Sequence, residues 1–204
     1  METILIILGI LLLAYFLYNI IYTYSEIRYV TSDVDGKVYL IRRGNNKSDE
    51  FLKDSANTLG LINKNIMKLI EYLEVNYNND DDKNYFIKKL KGNYTPYVIS
   101  EAAVDPRYTT YTIDKKDMHI CLRTRDNNEK IYDIDILMYV VLHELAHLCN
   151  YDRRGKAILG HGPEFKFIFR FLVEEAMKLD VYQHTNYSQN PKEYCGIMIT
   201  TSIV

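Results

Sequence analysis

Three cysteines stand far apart in this chain, at Cys121, Cys149 and Cys195, with no Cys-x-x-Cys among them. That spacing excludes a disulfide-scaffold protein and an appended zinc ribbon, and apolar neighbours make reduced, buried thiols the expectation. Basic charge is not in excess either. The formal net charge is −2, so no general polyanion-binding surface is predicted and nucleic-acid binding has no support from charge. The local pairs Arg123 with Arg125 and Arg153 with Arg154 read as solvated loops. Tryptophan is absent while tyrosine numbers 19, a compositional bias that carries no chemistry. Internal repeats and low-complexity tracts are also lacking. What remains is 48% hydrophobic and 25% charged, the balance of an ordinary globular domain. A chain of 204 residues is long enough for one domain with a proper core once the N-terminal segment is set aside.

That segment, residues 4–24, reads ILIILGILLLAYFLYNIIYTY without a charge. A run of about 20 apolar residues matches the hydrocarbon thickness of a bilayer, and Tyr18, Tyr22 and Tyr24 sit where an interfacial belt would lie. No basic n-region precedes the run and no small-residue cleavage site follows it, which argues against a signal peptide. The expectation is an uncleaved single-pass transmembrane anchor over residues 1–25. Arg28, Lys37, Arg42 and Arg43 follow it, and the positive-inside tendency then places the main domain on the cytoplasmic side. Asn-x-Ser/Thr triplets at Asn46, Asn93 and Asn186 read as chance in an asparagine-rich chain.

Beyond the anchor, residues 26–52 are expected to form a juxtamembrane hairpin and linker. Alternating RYVTS and KVYLIR flank Asp35-Gly36, a strong turn signal, and GNNKSDE at 44–50 reads as polar linker. Residues 53–204 are expected to form one α+β domain. Leu59, Ile62, Ile66, Leu69, Ile70 and Leu73 recur at helical spacing from Ser55 to Asn76. NNDDDK at 78–83 is a solvated loop, and a short helix follows from Tyr85 to Leu90. YVIS, TTYTI and MHICLR over 97–123 have strand character. In the last of these, Met118, Ile120 and Leu122 alternate with His119, Cys121 and Arg123; if this strand is the sheet edge beside the site, an extended peptide could add to it. A helix runs from Asp133 to Asn150, with Asp133 or Asp135 as its cap. Another runs from Pro163 to Leu179, its proline suited to the first turn. GIMITTSIV closes the chain as a strand.

The residues that point to chemistry lie in LMYVVLHELAHLCN at 137–150. His143 and His147 are one turn apart on one helix face, so both imidazoles can reach one tetrahedral ion. Glu144 follows the first ligand, and its carboxylate is placed to take a proton from an attacking water. Every residue from Ile136 to Leu142 is uncharged, as a buried helix requires, and a His-Glu-His face on such a helix is costly unless its groups are satisfied. A third ligand is offered by His161 in GHGPEF, 14 residues after His147. Glu174 and Glu175 are the alternative third ligands, His119 a weak fourth. No histidine lies six residues after His147, which excludes the metzincin spacing. Tyr151, Tyr187 and Arg154 are candidate oxyanion donors.

His-Glu-Leu-Ala-His followed after a loop by Gly-His-Gly-Pro-Glu-Phe resembles the SprT-like and WLM-type zinc metallopeptidases, over roughly residues 95–180. The resemblance implies a minimal zincin-like α+β fold of small sheet plus active-site helix. It also implies one Zn²⁺ held by His143, His147 and His161, Glu144 as the catalytic residue, and a protein or peptide substrate. Members of that group are often soluble proteases of DNA-bound proteins; the expected anchor and the absence of a basic extension keep that role from being carried over. The rival expectation is a non-catalytic membrane adaptor with a structural zinc, which needs a fourth protein ligand, for which Cys149 and His184 are the candidates.

Overall fold

The computed structural model describes residues 2–44, 47–94, 99–104, 109–115 and 117–204. Asn46, and Tyr97 and Val98 of the first expected strand, lie outside the described residues. In chain order the elements are α1 (Glu2–Glu26), β1 (Ile27–Thr31), β2 (Val38–Arg42), α2 (Asp49–Asn76), α3 (Asp81–Asn93), β3 (Ile99–Glu101), β4 (Tyr111–Ile113), β5 (Asp117–Ile120), α4 (Ile134–Cys149), α5 (Pro163–Lys178), β6 (Lys192–Tyr194) and β7 (Ile197–Ile199). The class is α+β, with two small hairpins, β1-β2 and β6-β7, and one three-stranded sheet in the order β3-β5-β4.

The transmembrane part of the expectation does not stand: among the described residues no helix is long and apolar enough to cross a membrane. Exposed apolar side chains of α1 run from Ile4 to Ile20. The single-pass anchor over residues 4–24 and the cytoplasmic-facing placement that rested on it are both withdrawn.

Helix α2 is the platform of the domain. Its Leu59, Ile62, Ile66, Leu69 and Leu73 are fully buried, one face of a 3.6-residue repeat. It starts two turns before the expected point because Ser48 caps it, accepting from the Phe51 N–H, with Asp49 and Glu50 in the first turn where the dipole favours acids. Helix α3 likewise starts inside the expected loop, capped by Asp80. The β1-β2 hairpin turns at Asp35-Gly36 as its sequence predicts, and Tyr39 and Ile41 enter the same core as α4 and α5. Gly60 lets α2 meet this turn: a Cβ there would stand 2.2 Å from Ser32 Oγ.

β5 is the middle strand, parallel to β3 and antiparallel to β4. It is therefore not an edge strand; β3 and β4 are the outer strands. Register is a tertiary property, and alternation within MHICLR does not reveal it. A second difference is covalent. Cys121 and Cys195, 74 residues apart, are joined by a disulfide with Cα atoms 6.3 Å apart, and only Cys149 is a free buried thiol. The bond ties the β6-β7 hairpin to the segment after β5.

Candidate metal centre

Helix α4 runs almost wholly through the interior. Asp133 caps it, its carboxylate accepting from the Asp135 N–H, and Leu137, Met138, Val141, Leu142, Leu145 and Leu148 are buried. The interruption in this apolar cylinder is the face carrying His143, Glu144 and His147. After Cys149 the chain doubles back through a tight turn: Asp152 accepts backbone N–H bonds from Arg154 and Lys156, Gly155 adopts φ 81°, and Tyr151 bridges to Ala157. Gly160, at φ 77°, turns the chain again and delivers His161 just before α5. Left-handed backbone of this kind strongly favours glycine.

The result is a trio of ring nitrogens facing one point. His161 Nε2 lies 3.0 Å from His143 Nε2 and 3.1 Å from His147 Nε2. The three side chains form a group able to hold a metal ion. Tetrahedral ligands on zinc stand about 3.3 Å from one another for bonds of 2.0–2.1 Å, so the spacing fits. Burial, followed by its histidine neighbours, pushes His143 down to about 3. Burial, then His161 and Lys115, pushes His147 down to about 4. Both imidazoles are thus held in the neutral form that binds metals.

Phe165, one turn into α5, packs against all three imidazoles with ring centroids 4.3–4.8 Å away and limits their rotation. Lys115 acts from the other side. Its Nζ donates to the carbonyls of His147 at 2.6 Å, Asn150 at 2.9 Å and Ile158 at 3.4 Å. A cation thereby closes the negative end of α4 and ties it to the loop that brings in His161. The Asn93 side-chain amide donates a hydrogen bond to the Leu148 carbonyl at 2.8 Å. Sequence reading missed Lys115 because it lies in a turn 32 residues from His147, and nothing local marks it.

Glu144 is buried, and its carboxylate accepts from Thr112 Oγ1 at 2.8 Å. Burial pushes it up to about 7 despite that bond. Thr112 belongs to β4, an outer strand of the sheet, so that strand and the acid meet at one place.

The other expected candidates lie elsewhere. Glu175 is buried and pairs with Lys178, and Glu174 is exposed. His119 bonds Ser100 Oγ and stacks on Tyr111. Cys149 Sγ donates to the Leu145 carbonyl. Neither Cys149 nor His184 joins the histidine group among the described residues. Tyr151 bonds Asn93, and Tyr187 packs on Tyr139. Tyr194, not expected, lines the cleft that holds His143 and Glu144.

Three viral proteins are similar to this chain. It is 36% identical over 183 residues to uncharacterized protein R325 of Acanthamoeba polyphaga mimivirus, covering 89% of this chain and 87% of that one. It is 31% identical over 100 residues to uncharacterized protein 136R of Invertebrate iridescent virus 6, 48% of this chain and 51% of that one. Protein 042R of Invertebrate iridescent virus 3 matches at 36% over 91 residues, 43% of this chain and half of its own length. No protein-family model and no solved structure matches the chain.

Proposed function

The chain belongs to the family of mimivirus protein R325, and we propose that it is a zinc-dependent peptidase akin to the SprT-like and WLM-type enzymes. One observation carries the reading: the imidazoles of His143 and His147 each bring a ring nitrogen within 3.0–3.1 Å of His161 Nε2, beside a buried carboxyl group, at the mouth of a cleft. His143, His147 and His161 would hold the ion. Bound zinc supplies Lewis acidity, which polarises a peptide carbonyl and makes water nucleophilic near neutral pH.

The chain's own groups supply the rest. Glu144, pushed up to about 7 by burial, is poised to take a proton from the attacking water and return it to the leaving amine. Thr112 holds the carboxylate in place at 2.8 Å. β4, the strand that carries Thr112, borders the site on the sheet side. Phe165 and Lys115 fix the imidazoles and the helix that carries them.

The test is metal content followed by turnover. The full chain is expected to take up one equivalent of zinc and to cleave an unfolded protein such as reduced casein. His161→Ala should lose the zinc. Glu144→Gln should keep the zinc and lose the cleavage. A folded wild-type protein that takes up no zinc sinks the reading, as does a Glu144→Gln variant that cleaves as well as the wild type.

A further inference from the structure

Beside the histidine trio lies a cavity of about 340 Å³ whose lining includes His143 and Glu144 themselves. Away from those two residues its walls are largely apolar. Tyr139 and Val140 of α4 form one side, Phe169 of α5 another, and Ile197, Ile199 and Ile203 of the C-terminal segment the third. Val140 precedes His143 by three residues and Glu144 by four, so it stands on the same helix face one turn earlier. The charged side chains on the lining are Glu144 and Lys166.

The third wall is built, not incidental. The disulfide from Cys195 to Cys121 anchors it. The Tyr194 hydroxyl donates to the Cys121 carbonyl at 2.9 Å, and the Cys195 N–H donates to Tyr132 at 2.7 Å. Past β7 the tail is clamped by Tyr139, whose hydroxyl donates to the Thr201 carbonyl and accepts from the Ile203 N–H, each at 3.2 Å. A residue of the metal-bearing helix therefore holds the segment that closes the pocket.

We propose that this cavity is the specificity pocket of the site and takes a large apolar side chain, of leucine, methionine or phenylalanine size, from a peptide lying across the histidine trio. The inference rests on the peptidase reading and adds the substrate class. Size and chemistry agree: small-molecule pockets of this volume with apolar walls and a few convergent polar groups take ligands by burying their apolar surface. A buried carboxylate or ammonium would find no opposite charge here beyond Lys166 and Glu144, and desolvating it is costly.

The experiment compares two zinc-binding probes on the zinc-loaded full chain by calorimetry: acetohydroxamic acid, which has no side chain to speak of, and 3-phenylpropanohydroxamic acid. The phenyl compound is expected to bind about 10- to 100-fold more tightly. That advantage should vanish in Val140→Lys and in Ile197→Asp, while acetohydroxamic acid binds all three proteins alike. Ile197 is half exposed, so its variant keeps the test open if Val140→Lys fails to fold. Equal affinity of the two probes for a protein holding one zinc overturns the pocket and leaves the peptidase reading standing. A protein that takes up no zinc overturns both.

Discussion

Two of the clusters of polar side chains in this domain are built on opposite plans. The first joins β2, β3 and the segment after β5. Arg123 Nε lies 2.7 Å from Glu101 Oε1, Arg123 Nη2 donates to Glu101 Oε2 at 2.7 Å, and Arg42 reaches Glu129 at 2.5 Å. Two cations face two anions, so the cluster is neutral within itself. Gly44 fits between its members, because a Cβ there would stand 2.6 Å from both Arg123 Nη1 and Glu129 Oε2. The second cluster is the histidine trio, in which three like groups turn their nitrogens toward one another. Buried charges paired in this way compensate one another. Groups of one kind aimed at a common point form instead the arrangement from which the cation site is proposed.

The contrast breaks most plainly at Arg123, whose side chain is wholly buried. Burial pushes Glu101 up and Arg123 down, each opposed by the other's charge. Arg123→Met leaves Glu101 buried without its main cation and is expected to cost about 3–5 kcal/mol in denaturant unfolding. Zinc uptake per folded molecule should stay unchanged. A loss under about 1 kcal/mol would mean that the cluster is not the self-sufficient unit described.

Removing a histidine should do the reverse. Without metal, His161→Ala and wild type should unfold within about 1 kcal/mol of each other, because His161 is exposed. With zinc at a thousand times its dissociation constant, wild type should gain about 4 kcal/mol. The variant should gain almost none. Thermal unfolding of the two proteins with zinc and with a chelator reads this directly. A smaller effect is expected at Glu144. Because burial already disfavours its charge, Glu144→Gln should change metal-free stability by less than about 1 kcal/mol, with the Thr112 bond retained by the amide oxygen.

The second cluster was legible in the sequence and the first was not, for a physical reason. His143, Glu144 and His147 lie on a single helix, and helix spacing alone brings them together; His161 could be added because glycines and Pro163 mark how the chain returns. Arg42, Glu101 and the pair Arg123 and Glu129 come from three separate segments, and nothing local pairs them, so Arg123 read as part of a solvated loop. The same limit explains why the sequence left open whether β5 lies at the edge and why Cys121 and Cys195 were expected as thiols. Helix α2 was placed from its apolar stripe, but its first two turns hid in a polar stretch where Ser48 and two acids mark a beginning. The apolar run of α1 gives the opposite lesson. Uniform apolarity in 136–142 marks a buried helix; in α1 the same quality from Ile4 to Ile20 accompanies exposed side chains, and composition does not distinguish the two.

The smallest effect sharpens the comparison at a third, minor cluster of the self-satisfied kind. Asp35 accepts from the Tyr39 hydroxyl at 2.6 Å, the Asn63 amide at 2.9 Å and the Lys37 N–H at 3.2 Å. Burial pushes its carboxyl up, but these three donors together with the Lys37 charge outweigh it and hold the group below its ordinary value of 3.8. A carboxyl whose pKa is lower in the folded protein than in the unfolded chain stabilises the fold above the unfolded value. That contribution is lost as pH falls through the lower, folded one. Wild type should therefore lose part of its stability below about pH 4, and Asp35→Asn should show a shallower acid limb with little change near neutral pH. Urea midpoints measured across that range check it. Parallel acid limbs in the two proteins would show that the Asp35 charge adds nothing to the hairpin's hold on α2.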